Sequence, residues 1–329
     1  VVVWTPFRSK GNPFRLPKLP NLQALMDDEE DLDLGLETAT LAALRLLDIA
    51  RKPRTAETHV LKSAFRAILK AGDAPSPARL LQELKSMVAS ADKDERAEAR
   101  GFYRAADFFL ESFASARRGD PRLEDDSSND LSELFSSGSG RTRVSVMSLT
   151  GQELEFQRNY LERLLMALFT HITEESRSGG AVRGLLVIDE AKEFVPSDGR
   201  STCKMIIRRF TSMARKYNYG IVLASQELKS MDSRTVNNCT TKLFGKQTAN
   251  AAVKAAEEIM GTGNDLRLAH LGTGQFYLKS DSAQGPRGEP LRVTGSLCLT
   301  WHPSGSPDRD EILRYAAESA GKAARRGDA

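Results

Sequence analysis

The stretch Gly184-Leu-Leu-Val-Ile-Asp-Glu-Ala191 constrains this chain more than any other. Four consecutive apolar residues with no polar alternation form a strand buried on both faces, the kind found inside parallel sheets. It runs straight into Asp189 and Glu190 with no turn residue between. Burying a carboxylate without a partner is costly. The pair is therefore either the strand surfacing into a helix start, where acids favour the dipole, or a place where a cation and a water meet.

The surrounding pattern favours the second reading. From Arg143 the segments RVSVMSL, GLLVIDEA, YGIVLASQ and TTKLFGKQ read as strands, and the segments between them as helices. That alternation predicts an α/β fold with a mostly parallel sheet covered on both faces. Ligands of such sheets collect at the carboxyl ends of the strands. Asp189 and Glu190 end one strand and Gln226 ends the next. This is an arrangement suited to nucleotide hydrolysis: Asp189 to hold hydrated Mg2+, Glu190 to polarise a water, Gln226 to sense the γ-phosphate or orient that water.

The helix expected between those strands, about 201–218, carries Ile206, Ile207, Phe210, Met213, Ala214 and Tyr217 on one arc. Lys204, Arg208 and Arg215 lie opposite, flanked by Arg209 and Lys216. Six basic residues and no acidic one fall between Gly199 and Asn218. A solvated face normally mixes both signs, so the stripe suggests phosphate, of DNA or of a neighbouring subunit's nucleotide.

Upstream lies a different pattern. VVVWTPF opens the chain as a strand, which suggests that the sequence is the later part of a longer protein. After a proline-punctuated loop come seven acidic residues between Asp27 and Glu37, read as a solvated run, and then about four amphipathic helices to Gly119 with start signals at Thr55, Ser76 and Asp94. The expected division is core strand and loop 1–22, helical insertion 23–119, flexible acidic connector 120–142, ATPase core 143–302 and basic terminal helix 303–329.

Composition removes several classes. The chain has 329 residues, 40% hydrophobic and 28% charged, with formal charge +3, so nucleic-acid binding must be sought in local clusters. Cys203, Cys239 and Cys298 are widely spaced and fit neither a disulfide framework nor a zinc site. No apolar run has the length of a membrane helix, and a cytoplasmic location is expected. His59, His171, His270 and His302 are scattered over separate segments, and no nucleophile motif is present. The phosphate-cradling motif GxxxxGK[ST] does not occur in the sequence.

Taken together, RVSVMSLTG, GLLVIDEAKEFVP, RRFTSMARKYNYGIVLASQ and VNNCTTKLFGK resemble, in this order, the HerA/FtsK-type P-loop ATPases, most closely HerA-like DNA translocases. The resemblance implies a P-loop NTPase core with a helical insertion, using ATP and Mg2+. It implies Asp189 as the Walker B aspartate and metal-holding residue, Glu190 as the catalytic glutamate and Gln226 as the sensor. Arg215 would act on a neighbouring subunit's nucleotide, with Lys216 near it, and Lys204, Arg208, Arg209 and Lys246 would meet DNA or inter-subunit phosphate. It further implies a homohexameric ring on double-stranded DNA beside a nuclease or other effector, with no membrane anchor. The missing loop is expected upstream of Val1. A non-hydrolysing scaffold ring and a conjugation or secretion motor are the alternatives.

Overall fold

The structure, a computed structural model, describes residues 1–8, 10–90, 92–120, 123, 127–135, 142–174, 181–199, 201–261, 266–280, 289–296, 305 and 307–327. It divides into two compact units, one of Val1–Ser176 with Pro307–Ala329 and one of Arg177–Ser306.

In the first unit β1 (Val2–Trp4) pairs in parallel with β2 (Ser145–Met147), Val3 opposite Val146. Between them in sequence lie α1 (Glu29–Leu46), α2 (Thr55–Lys70), α3 (Pro77–Ser90), α4 (Lys93–Glu98) and α5 (Arg100–Gly119). Apolar residues at three- and four-residue spacing make them a bundle: Val60, Leu61, Ala64, Phe65 and Ile68 of α2 face α3 and α5, and α5 answers with Ala106, Phe109 and Phe113. The acidic run is not a solvated loop, because its carboxylates alternate with leucines and Asp28 caps α1 by accepting from the Asp31 amide at 3.0 Å. Leu34 and Leu36 then enter the core. Of the segment expected as a connector, residues 131–134 form a 3-10 turn with Leu134 buried, and the Asn129 side chain accepts from the Arg15 amide at 2.8 Å. Residues 121–122, 124–126 and 136–141 lie outside the described residues. The long helix α6 (Leu154–Glu174) buries Leu161, Leu165, Leu168 and Phe169 against this unit, and the C-terminal α10 (Arg309–Gly327) packs on β1, where Ser319 Oγ accepts from the Val3 amide.

In the second unit β3 (Gly184–Ile188) and β4 (Tyr219–Leu223) pair in parallel with Ile188 opposite Leu223. They are joined by α7 (Thr202–Met213) and a 3-10 turn, Ala214–Tyr217, closed by Asn218 in the left-handed region. After α8 (Ser233–Asn238), β5 (Thr241–Phe244) pairs antiparallel with β6 (Gln275–Ser280), which pairs antiparallel with β7 (Leu291–Thr294). α9 (Asn250–Met260) packs its Ala256 and Met260 with Leu266, Leu268 and Leu271 beneath that sheet.

Two expectations need correcting. Among the described residues β5 continues no parallel ladder; its partner there is the antiparallel β6. Nor is the parallel pair covered on both faces: Leu185, Val187 and Val222, which share one face, are 58%, 61% and 44% exposed. Among the described residues no helix is long and apolar enough to cross a membrane.

Candidate active site

Parallel pairing carries both strand ends to one edge and then continues past them. The Ala224 amide donates to the Ile188 carbonyl at 3.0 Å, and the Ala191 amide donates to the Ala224 carbonyl at 2.8 Å. These two bonds fix the loop after β3 beside the loop after β4. Asp189 is exposed, and its carboxylate accepts from the Glu190 amide at 2.9 Å. That bond helps hold Glu190 in the left-handed region, φ 48° and ψ 44°, a conformation costly for a residue with a Cβ.

The turn delivers the Glu190 side chain to the neighbouring loop, where Gln226 Nε2 donates to Glu190 Oε1. The other carboxylate oxygen, Glu190 Oε2, is buried and has no hydrogen-bond partner among the described residues. A second tie runs alongside, Lys192 Nζ to Glu227 Oε1 at 3.4 Å. Farther out, Pro196 and Met231 form an antiparallel bridge, the Ser197 amide donates to the Ser230 carbonyl at 2.7 Å, and the Asp232 amide to the Val195 carbonyl at 2.9 Å. The two loops therefore run together as one ledge. Asp189, Glu190 and Gln226, expected together from their strand ends alone, are brought together.

Two residues of the basic stripe turn inward. Lys204 is 5% exposed, and its ammonium donates to the Ser197 and Gly199 carbonyls at 3.1 and 2.9 Å. Arg208 grips Asp232 with Nε at 2.7 Å and with a second, shorter contact from Nη2. Asp232 is itself 4% exposed and caps α8, accepting from the Thr235 amide and hydroxyl at 2.9 and 2.8 Å, with Lys204 Nζ 3.7 Å from its other oxygen. The Arg208 contact holds the Asp232 carboxyl far below the usual carboxylate range, and Asp232 in turn raises the guanidinium. An interior carboxylate accounts for both cations without any phosphate. Arg209 is half-buried on α7. Arg215 and Lys216 lie exposed on the turn beyond it, Lys216 Nζ 5.7 Å from the Tyr217 ring centre, and Lys246 is exposed after β5. Sequence reading missed Asp232, although Asp-Ser-Arg-Thr is a helix-start signature and an acid was needed near so many bases.

No protein-family profile matches the sequence, and no curated protein sequence matches it. Among solved structures the chain is similar to VirB4 of Thermoanaerobacter pseudethanolicus, over 91% of its own length and 77% of that chain, at 15% identity and a TM-score of 0.53. The fold is that of a P-loop NTPase. Looser likenesses are to the plasmid coupling protein TrwB in complex with a non-hydrolysable ATP analogue (14% identity, 93% of this chain, 76% of that one, TM-score 0.45) and to the genome-packaging NTPase B204 of Sulfolobus turreted icosahedral virus 2 in complex with ATP-γS (13% identity, 52% and 73%, TM-score 0.37). Neither superposition is close enough to bear on the site.

The residues present fit a hydrated divalent cation rather than a protein-built metal cage. Among the described residues no three His, Cys, Asp or Glu side chains converge. An exposed single carboxylate such as Asp189 suits Mg2+, which keeps several waters and takes its remaining oxygens from phosphates.

Proposed function

We propose that this chain carries the Walker B acids of an ATP-hydrolysing motor of HerA type, which moves double-stranded DNA as a homohexameric ring together with a nuclease or another effector. The observation that carries the reading is the pairing of Glu190 with Gln226 at adjacent strand ends, where Gln226 engages one carboxylate oxygen. Removing a proton from an attacking water is the work of a carboxylate base, and Gln226 sets the direction of this one. Asp189 stands next to it to hold Mg2+ through water, which would supply charge neutralisation on the phosphates of ATP. The exposed Arg215 and Lys216 are the groups of this chain suited to reach a neighbouring subunit's nucleotide, and Arg209 and Lys246 to meet DNA or inter-subunit phosphate. The likeness in sequence to HerA/FtsK-type ATPases supports the DNA substrate and the ring. A cytoplasmic location follows from that substrate.

The test is ATP hydrolysis by the full-length protein, with and without duplex DNA, comparing wild type with Glu190→Gln. Loss of a DNA-stimulated rate by about 100-fold or more with ATP binding retained is the expected result. Equal, negligible rates in both proteins would replace the motor with a non-hydrolysing ring. A rate dependent on a membrane-embedded assembly rather than on free DNA would favour a conjugation or secretion motor.

A further inference from the structure

The first unit holds a cavity of about 480 Å³ that the proposed motor chemistry does not use. Its size is that of a small-molecule cleft. Phe7 and Phe156 line it and are 37% and 56% exposed, an unusual investment of aromatic surface in water. The Phe7 ring meets Tyr160 edge-on at 5.2 Å, which fixes its plane. Both phenylalanines follow strand ends: Phe7 lies three residues beyond β1, and Phe156 is in the first turn of the helix after β2. Arg8 pins the two post-strand loops by donating to the Thr150 carbonyl at 2.8 Å. The cavity thus opens where ligands of parallel strands collect.

Its wall carries charges of both signs: Lys18, Arg45 and Arg163 line it together with the carboxylates of Asp48 and Glu155, three cations to two acids. Each cation is positioned by a contact: Arg163 by the Leu16 and Pro17 carbonyls at 3.0 and 2.6 Å, Lys18 by the Leu123 carbonyl at 2.9 Å, Arg45 by Glu162 at 3.0 Å. Flat apolar rings beside fixed cations are the two elements by which proteins hold a base and its phosphate. We infer that the cavity binds a nucleotide unit, its base in contact with Phe7 and Phe156 and its phosphate toward Lys18, Arg45 and Arg163. The unit is either a free nucleotide or one residue of a single strand.

Calorimetric titration of the full chain with AMP, adenosine and a twelve-residue oligothymidylate tests this, using wild type and F156A. AMP or the oligonucleotide binds, adenosine binds at least threefold more weakly than AMP, and F156A weakens binding roughly 5- to 150-fold. The position of a photocrosslink separates this cavity from the hydrolytic site. Oligonucleotide tighter than AMP identifies a strand, and the reverse a free nucleotide. Photocrosslinking of 5-iodo-dUMP to Phe7, Phe156 or Tyr160, mapped by mass spectrometry in the wild type, needs no variant to fold. No binding at millimolar concentration, binding indifferent to F156A, adenosine equal to AMP, or crosslinks confined to other residues overturns the inference.

Discussion

Asp232 is the residue whose loss should be felt most widely in the second unit. Replacing it with Ala removes an N-cap, worth about 1 kcal/mol. It also strands Lys204, an ammonium 5% exposed, with only the Ser197 and Gly199 carbonyls among its described contacts. Breaking a buried pair from one side costs about 3–5 kcal/mol. Arg208 has a 30% exposed side chain and can turn to water, so its share is discounted. The expected cost of Asp232→Ala is therefore about 3 kcal/mol by urea denaturation. Asp232→Asn keeps an acceptor for the Thr235 amide and costs less, about 1–2 kcal/mol. An Arg208→Ala/Asp232→Ala cycle should show positive coupling of about 1–2 kcal/mol. The acid limb adds a sign. The folded carboxyl titrates well below its unfolded value, so its contribution is complete above about pH 4 and is lost progressively as pH falls further. Asp232→Asn should lack that part of the acid sensitivity. A cost below about 1 kcal/mol for Asp232→Ala, or equal costs for Ala and Asn, would refute a charged keystone here.

Glu162 should behave in the opposite way. Burial raises its carboxyl above the usual range despite Arg45, so its ionisation opposes folding as pH rises from about 4, and Glu162→Gln should be neutral or stabilising by up to about 1 kcal/mol at pH 7 in thermal melts. Val187→Thr should change stability by less than about 0.5 kcal/mol, because the side chain is exposed and the strand preference is kept; a loss above about 1.5 kcal/mol would mean that the face is covered in solution.

What could be read from the sequence follows from the range of the forces involved. Helix periodicity and strand hydrophobicity are local, so α2, α5, α6 and the β3–α7–β4 unit were legible, as was the meeting of Asp189, Glu190 and Gln226, which parallel pairing makes almost obligatory. Pairings between distant segments were not. Nothing local distinguishes a β5 that joins a parallel sheet from one that turns to β6, and the uncovered face of Leu185 and Val187 contradicts the burial their residue types suggest. The inward contacts of Lys204 and Arg208 were not legible for a similar reason: a helical wheel shows which residues share a face, not that Asp232, 24 positions beyond Arg208, will meet it.

Among the described residues three that are not glycine have positive φ: Asp48, Glu190 and Asn218. Asp and Asn enter that region readily because their short polar side chains bond locally, and Asn218 closes a turn in doing so. Glu190 has no such excuse, so its conformation must be imposed. The Asp189 carboxylate on its amide and the Ala191–Ala224 bond on its far side do so. Strain of this kind, of order 1 kcal/mol, is kept where it aims a side chain. Glu190→Gly should therefore raise the stability of the full chain by about 0.5–1 kcal/mol in urea, while Glu190→Ala, which keeps the Cβ and the strain, should not. Both should abolish ATP hydrolysis in the full-length protein. Glycine proving less stable than alanine would mean that the turn costs nothing, and the argument from strain to the placement of Glu190 would fail even if the residue were catalytic.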